Sequence, residues 1–333
     1  PPRSTLFPYT TLFRSISTGT YQVGSTLSDL DKDGLLEVVV AENNPSTKTW
    51  GITWFKPDKD LAKPWKRYVL DPQTLAGAHD LVFADLDQDG QDELIANNTY
   101  GAVWGVFAYK RPADITQPWT KYEIHTGFAE EALAVADLDN DGKPEIISGP
   151  SIYTRPAAGP FSGTWQRTNY ALNFREMVRL APVDVNADGR LDIVIAESEY
   201  PDGLLSWFEN KGANTWLEHR IDQGWNFAHS LTARTDAKTG KICIFIAEMM
   251  KGGWDAPYNY DARLAEFTSH DQGASWQNEI LYRGAGTHQA VEFDIDKDGQ
   301  YEVVGHIWGA KLKEPKIQDR KSTRLNSSHR IRS

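Results

Sequence analysis

Apolar residues along this chain fall in short continuous runs, among them LEVVVAEN, DELIANN, EIISG, DIVIAES and ICIFIAE. No stretch carries the i, i+3, i+4 spacing of an amphipathic helix, so the pattern predicts short β-strands throughout. The runs recur at a fixed place, directly after an acidic segment. SDLDKDGLLE, ADLDQDGQDE, ADLDNDGKPE, VDVNADGRLD and FDIDKDGQYE begin their acids at Asp29, Asp85, Asp137, Asp184 and Asp294, and a degenerate copy, RTDAKTGK, begins at Asp236. Successive starts lie 56, 52, 47, 52 and 58 residues apart.

Two further patterns keep the same period. One is a tryptophan leading an alternating run, at Trp65, Trp119, Trp165, Trp216 and Trp276; the other is GITWFK, AVWGVFAY and LLSWFEN. Each unit of ~50 residues therefore supplies about four strands, and four-stranded units in series are the logic of a β-propeller. The expectation is an all-β propeller, with about five and a half blades in residues 16–318 and seven in the whole protein. A linear β-solenoid is the alternative, although those use shorter repeats.

Residues 1–15 and 319–333 are basic, aperiodic and unlike the rest, and both read like translated sequencing adapter. They are set aside as disordered ends outside the domain. The whole chain of 333 residues carries a net charge of −11; residues 16–318 alone hold 28 Lys and Arg against 45 Asp and Glu, or −17. Such acidity argues against nucleic acid or an anionic membrane as partner, and a monomer is expected. No window approaches 18 apolar residues, and Cys243, the single cysteine, sits in the apolar run KICIFIAE as a core residue.

The acid segments carry chemistry. Carboxylates at positions 1, 3 and 5, a carbonyl at 7 and an acid at 9 supply the six to eight hard oxygens that Ca2+ requires, and glycine at position 6 permits the sharp turn. In order of position, the ligand sets are Asp29, Asp31, Asp33, Leu35 and Glu37; Asp85, Asp87, Asp89, Gln91 and Glu93; and Asp137, Asp139, Asp141, Lys143 and Glu145. The fourth is Asp184, Asn186, Asp188, Arg190 and Asp192, and the fifth is Asp294, Asp296, Asp298, Gln300 and Glu302. An EF-hand needs Glu at position 12, where this chain has Val40, Ala96, Ser148, Ile195 and Gly305. The copy at Asp236 has Lys238 and Gly240 in place of two acids, and no metal is expected there.

The five intact segments resemble the FG-GAP or VCBS repeat of extracellular β-propellers, in which this loop binds calcium. The resemblance covers residues 21–305 and implies several structural Ca2+ ions, together with secretion into millimolar calcium.

Counting back six or seven residues from each first aspartate leads to the opposite ends of the innermost strands, and to His79, Glu130, Glu131, His229 and His288; Arg175 and Glu176 fall eight or nine back and fit with a bulge. Neighbouring loops are rich in Tyr, Trp, Gly and Asn, as at a sugar-binding rim. Some propellers of this broad type are polysaccharide lyases, so one reading is β-elimination on uronate glycans. His79, His229 or His288 would be the base, Arg175 or Arg155 the carboxylate neutraliser, and Tyr153, Tyr200 or Tyr258 the proton donor. The alternatives are a non-catalytic adhesion or glycan-binding propeller, and a transition metal held by His79, His229 and His288 in a sugar dehydratase or hydrolase.

Overall fold

A computed structural model describes residues 21–44, 49–60, 63–74, 76–251, 258–284, 286–295, 301–307 and 317–321. Among these residues there is no helix, and the strands form six antiparallel sheets. The first sheet is β1 (Tyr21–Ser28), β2 (Glu37–Asn44), β3 (Thr49–Lys56) and β4 (Lys66–Thr74). The second is β5 (Ala76–Ala84), β6 (Glu93–Gly101), β7 (Gly105–Lys110) and β8 (Thr120–Thr126), and the third β9 (Leu133–Ala136), β10 (Glu145–Ser148), β11 (Ser151–Thr154) and β12 (Gln166–Asn169). The fourth is β13 (Val178–Val183), β14 (Asp192–Glu197), β15 (Gly203–Asn210) and β16 (Trp216–Trp225). The fifth is β17 (Ser230–Thr235), β18 (Ile242–Ala247), β19 (Arg263–Ser269) and β20 (Gln277–Arg283). A last sheet has β21 (Thr287–Phe293), β22 (Glu302–Ile307) and β23 (Ile317–Lys321), the last reaching three residues into the C-terminal segment set aside above.

Strand order follows chain order in every sheet, so each repeat folds as one meander. The second strands are apolar without alternation because both their faces are covered: β10, β14 and β18 are buried at every position. The fourth strand lies at the sheet edge, and β16 is exposed or half-buried up to Gly224, ending in the buried Trp225. Each acid segment forms the loop between first and second strands, as its place in the repeat predicts.

The chain divides into two compact units, residues 1–133 with 154–167, and residues 134–153 with 168–333. In the first, Trp54, Leu70, Leu94, Phe107, Tyr109 and Trp119 build the core. Strands β1 and β5 lie side by side. At Gly24 a Cβ would come within 3.0 and 3.1 Å of the Ala78 and His79 carbonyl oxygens, so only glycine lets these strands approach so closely. In the second unit the core is Val185, Val194, Trp207, Trp225, Ile244 and Phe267, and β13, β17 and β21 lie in succession.

Successive repeats are tied at both ends of the sheet. The Trp119 amide donates to the Leu70 carbonyl at 2.8 Å, and the Trp165 amide to the Ile124 carbonyl at 2.8 Å, which gives the recurring tryptophans a backbone role beside their packing. At the acid loops, Arg111 donates to the Leu30 carbonyl, Arg155 to the Leu86 carbonyl at 3.1 Å, and Asn210 to the Leu138 carbonyl at 2.7 Å. Each such donor follows or ends the third strand of the next repeat.

Candidate functional site

The four fully described acid loops share one conformation. The first aspartate spreads its carboxylate over two backbone amides: Asp29 accepts from Asp33 and Gly34, Asp85 from Asp89 and Gly90, Asp137 from Asp141 and Gly142, and Asp184 from Asp188 and Gly189. The acid at position 5 accepts the amide at position 7, as Asp33 does from Leu35, Asp89 from Gln91, Asp141 from Lys143 and Asp188 from Arg190. Position 6 is left-handed at Gly34, Gly90, Gly142 and Gly189, with φ of 81 to 87°. Position 4 is left-handed too, at Lys32, Gln88, Asn140 and Ala187, with φ of 59 to 62°.

The ninth-position acid closes the loop from inside the sheet. Glu37 accepts the Leu30 amide at 2.7 Å, Glu93 that of Leu86 at 3.0 Å, Glu145 that of Leu138 at 2.9 Å, Asp192 that of Val185 at 2.9 Å, and Glu302 that of Ile295 at 3.0 Å. Burial pushes Glu93 and Glu145 up to about 7 and Asp192 up to about 6, and raises Glu37 as well. Asp296, Asp298 and Gln300 of the fifth loop lie outside the described residues.

These residues fit a divalent cation. Carboxylate oxygens of Asp29, Asp31 and Asp33 lie within 4.8 Å of one another, as do those of Asp85, Asp87 and Glu93, and of Asp137, Asp139 and Glu145. Glu37 Oε1 and Asp87 Oδ1 are buried with no hydrogen-bond partner. A donor set made only of oxygen suits Ca2+ or Mg2+ over a transition metal. The copy at Asp236 is instead closed by its own backbone, with the Gly240 amide on the Asp236 carbonyl at 2.8 Å.

Of the residues counted back to the other ends of the first strands, His79, Glu130, Glu131, His229 and His288 are buried, whereas Arg175 and Glu176 are exposed. In the first unit, His79 on β5 is 1% exposed; its Nδ1 lies 2.9 Å from Asp80 and its Nε2 3.4 Å from Glu131. Asp80 also accepts the Ala132 amide at 3.0 Å, and Glu130 is held by Arg167 at 2.6 Å.

In the second unit, His229 and His288 come together, their rings 4.0 Å apart between centroids. His229 Nδ1 lies 2.7 Å from the His288 carbonyl oxygen and 3.0 Å from Arg179 Nη2. Facing Nε2 are Arg179 Nη2 at 2.7 Å and Glu199 Oε1 at 3.1 Å. His229 is 0% exposed, Arg179 and His288 are buried, and the Glu199 side chain is 24% exposed.

Arg179 and Glu199 are absent from the residues counted back in the sequence. Arg175 stands in the turn ahead of β13, bidentate on Glu197 at 2.7 Å and 2.7 Å and stacked 3.8 Å over the Tyr200 ring, while Arg179, one turn of sequence later, is the arginine that β13 carries to the histidines. A strand start at Val178 rather than at Arg175 is the signal that would have found it. Glu199 lies in ESEYPDG, a loop the sequence marks only as rim. Tyr153 is 1% exposed on β11, paired with Ile146, inside the sheet rather than at its end. The Arg179 guanidinium Nη2 lies 3.0 Å from Nδ1 and 2.7 Å from Nε2 of His229.

Comparison with known proteins now bears on this arrangement. Residues 29–96 match the FG-GAP-like repeat family. The matched FG-GAP-like segment takes in the first two acid loops and the strands between them. Among solved structures, an α-L-arabinofuranosidase from Fusarium graminearum, in complex with an iminosugar inhibitor, is similar with a TM-score of 0.50 and 13% identity over 90% of this chain and 95% of that one. The V. cholerae biofilm matrix protein Bap1 is similar with a TM-score of 0.37 and 13% identity over 89% of this chain, which spans 55% of Bap1. A Trypanosoma rangeli sialidase is similar with a TM-score of 0.44 and 11% identity, over 87% of this chain and 52% of that one. No curated protein sequence matches the chain. At such identities the likeness is one of fold, and with the serial four-stranded sheets it makes this an all-β chain of β-propeller type. No helix among the described residues is long and apolar enough to cross a membrane.

Proposed function

We propose that this chain is a secreted carbohydrate-active protein whose acid loops bind Ca2+ as struts, and whose chemistry lies at Arg179, Glu199, His229 and His288. The observation that carries this reading is His229 Nε2, met by the half-buried Glu199 carboxylate at 3.1 Å and by the buried Arg179 guanidinium at 2.7 Å. The Glu199 carboxylate marks the place a substrate carboxylate would take. The fold shared with an α-L-arabinofuranosidase supports the substrate class, because that scaffold serves sugar chemistry in the relative.

With a uronate glycan, the finer reading is β-elimination. Arg179 pairs with the substrate carboxylate and draws charge toward it, which acidifies the C5–H bond. His229 Nε2 takes that proton, the C5–H electrons form the C4=C5 double bond, and the C4–O bond breaks with its electron pair on oxygen, which takes a proton from water to leave as the alcohol. The residues at Asp29, Asp85, Asp137, Asp184 and Asp294 take no part in this step; their calcium fixes the turn between the first two strands of each sheet.

Incubation with acidic polysaccharides tests the reading. Ultraviolet absorbance from unsaturated uronate is expected, lost in His229→Ala and Arg179→Ala. Reducing ends without that absorbance would instead mean hydrolysis. The burial of His229, 0% exposed, favours a second reading, a binding site without turnover; glycan retention by wild-type protein with no product of either kind would establish it.

A further inference from the structure

The third strand of each repeat brings one residue to the ninth-position acid. Pairing of Val38 with Phe55 and of Leu94 with Tyr109 places Lys56 opposite Glu37 and Lys110 opposite Glu93, and pairing of Ile193 with Phe208 places Glu209 opposite Asp192. In the third repeat the same strand ends in Thr154. The repeats therefore differ in charge at one register position: lysine, lysine, threonine, glutamate.

The lysines use that position. Lys56 Nζ contacts Asp31 and lies 2.8 Å from Asp33. Lys110 Nζ contacts Asp87 and lies 3.0 Å from Asp89 and 3.4 Å from Glu93, with the Phe161 ring 5.2 Å away. Both ammonium groups thus sit among the oxygens that would hold the ion. They leave the set incomplete, because Glu37 Oε1, fully buried, has no hydrogen-bond partner beside Lys56. Glu209 behaves in the opposite sense: it takes Asn186 at 3.1 Å, Lys211 at 2.7 Å and His219 at 2.9 Å, and adds a carboxylate to the loop that has Asn186 for an acid and whose Asp188 is contacted by Arg190.

We propose that the residue ending the third strand ranks the loops for their divalent cation: Lys56 and Lys110 are internal cations that Ca2+ must expel, so the first two loops fill last. This rests on the calcium reading above. In metal-free protein the lysines neutralise loops that would otherwise repel themselves, and Ca2+ turns each ammonium out into solvent.

The test is calorimetric titration of the chelator-stripped full chain with CaCl2, paired with amine acylation mapped by mass spectrometry. Wild-type protein is expected to show a tight and a weak class of sites. Lys110→Thr and Lys56→Thr each move one site out of the weak class, with affinity raised about tenfold, and Glu209→Lys moves one into it. Lys56 and Lys110 become more reactive to acylation on adding CaCl2, whereas Lys63, beside Asp58, does not. Unchanged affinities in both lysine variants, or acylation indifferent to calcium, would overturn the ranking while leaving calcium binding intact. Absence of any binding heat at millimolar CaCl2 overturns the calcium reading and the ranking with it. If one threonine variant misfolds by circular dichroism, the other variant and the acylation map still decide.

Discussion

Glu93 and Glu145 are carboxylates carried into a sheet interior, and their cost depends on pH. Burial sets them at about 7 in the folded chain, against an ordinary value near 4.5, and Asp192 at about 6. Between about pH 4.5 and 7 the folded metal-free protein thus holds protons that the unfolded chain has released. Stability must then fall as pH rises through that window, by up to roughly 3 kcal/mol for each glutamate. Urea unfolding in chelator at pH 5 and pH 7.5 should show this loss, and saturating calcium should abolish it. The acid-loop turns were legible in the sequence because they are local, one motif within nine residues. The Arg179, Glu199 and His229 cluster was legible only in part, because its members come from β13, the loop after β14 and the turn before β17, and no spacing records which arginine a strand presents.

At the scale of the element, each acid loop is also a bracket between repeats. Asn210, 3% exposed, bonds the Leu138 carbonyl at 2.7 Å and the Leu191 carbonyl at 3.1 Å. Asn210→Ala would orphan both and should cost about 1–3 kcal/mol in urea unfolding. Trp165, 1% exposed, couples packing with its indole bond to the Pro160 carbonyl at 2.8 Å, and Trp165→Ala should cost about 3–5 kcal/mol. Strands were readable where the period repeats a strong local signal: acids before an apolar run, tryptophan before an alternating one. The ties between repeats were not, because Arg111, Arg155 and Asn210 reach carbonyls of the preceding repeat, and no local pattern records that long-range partner.

For the molecule as a whole, a net charge of −11 on 333 residues is self-repelling until cations enter. Each site filled at a hundred times its dissociation constant adds about 2.7 kcal/mol, so thermal melting should drop sharply in chelator and recover with CaCl2. One loop feature reaches beyond equilibrium, into how the protein ages. Every intact repeat contains an Asp-Gly pair, the aspartyl sequence most prone to cyclise to succinimide and reopen as isoaspartate. Cyclisation needs the glycine nitrogen to attack the preceding aspartate. Here the amides of Gly34, Gly90, Gly142 and Gly189 are held by Asp29, Asp85, Asp137 and Asp184 at 3.0, 2.8, 2.9 and 2.9 Å. A bonded, rigid amide is a poor nucleophile, so storage at 37 °C should leave folded protein with little isoaspartate, while urea-unfolded protein accumulates it at these pairs, read by peptide mapping. The turn that shapes the loop would then also set the protein's chemical lifetime.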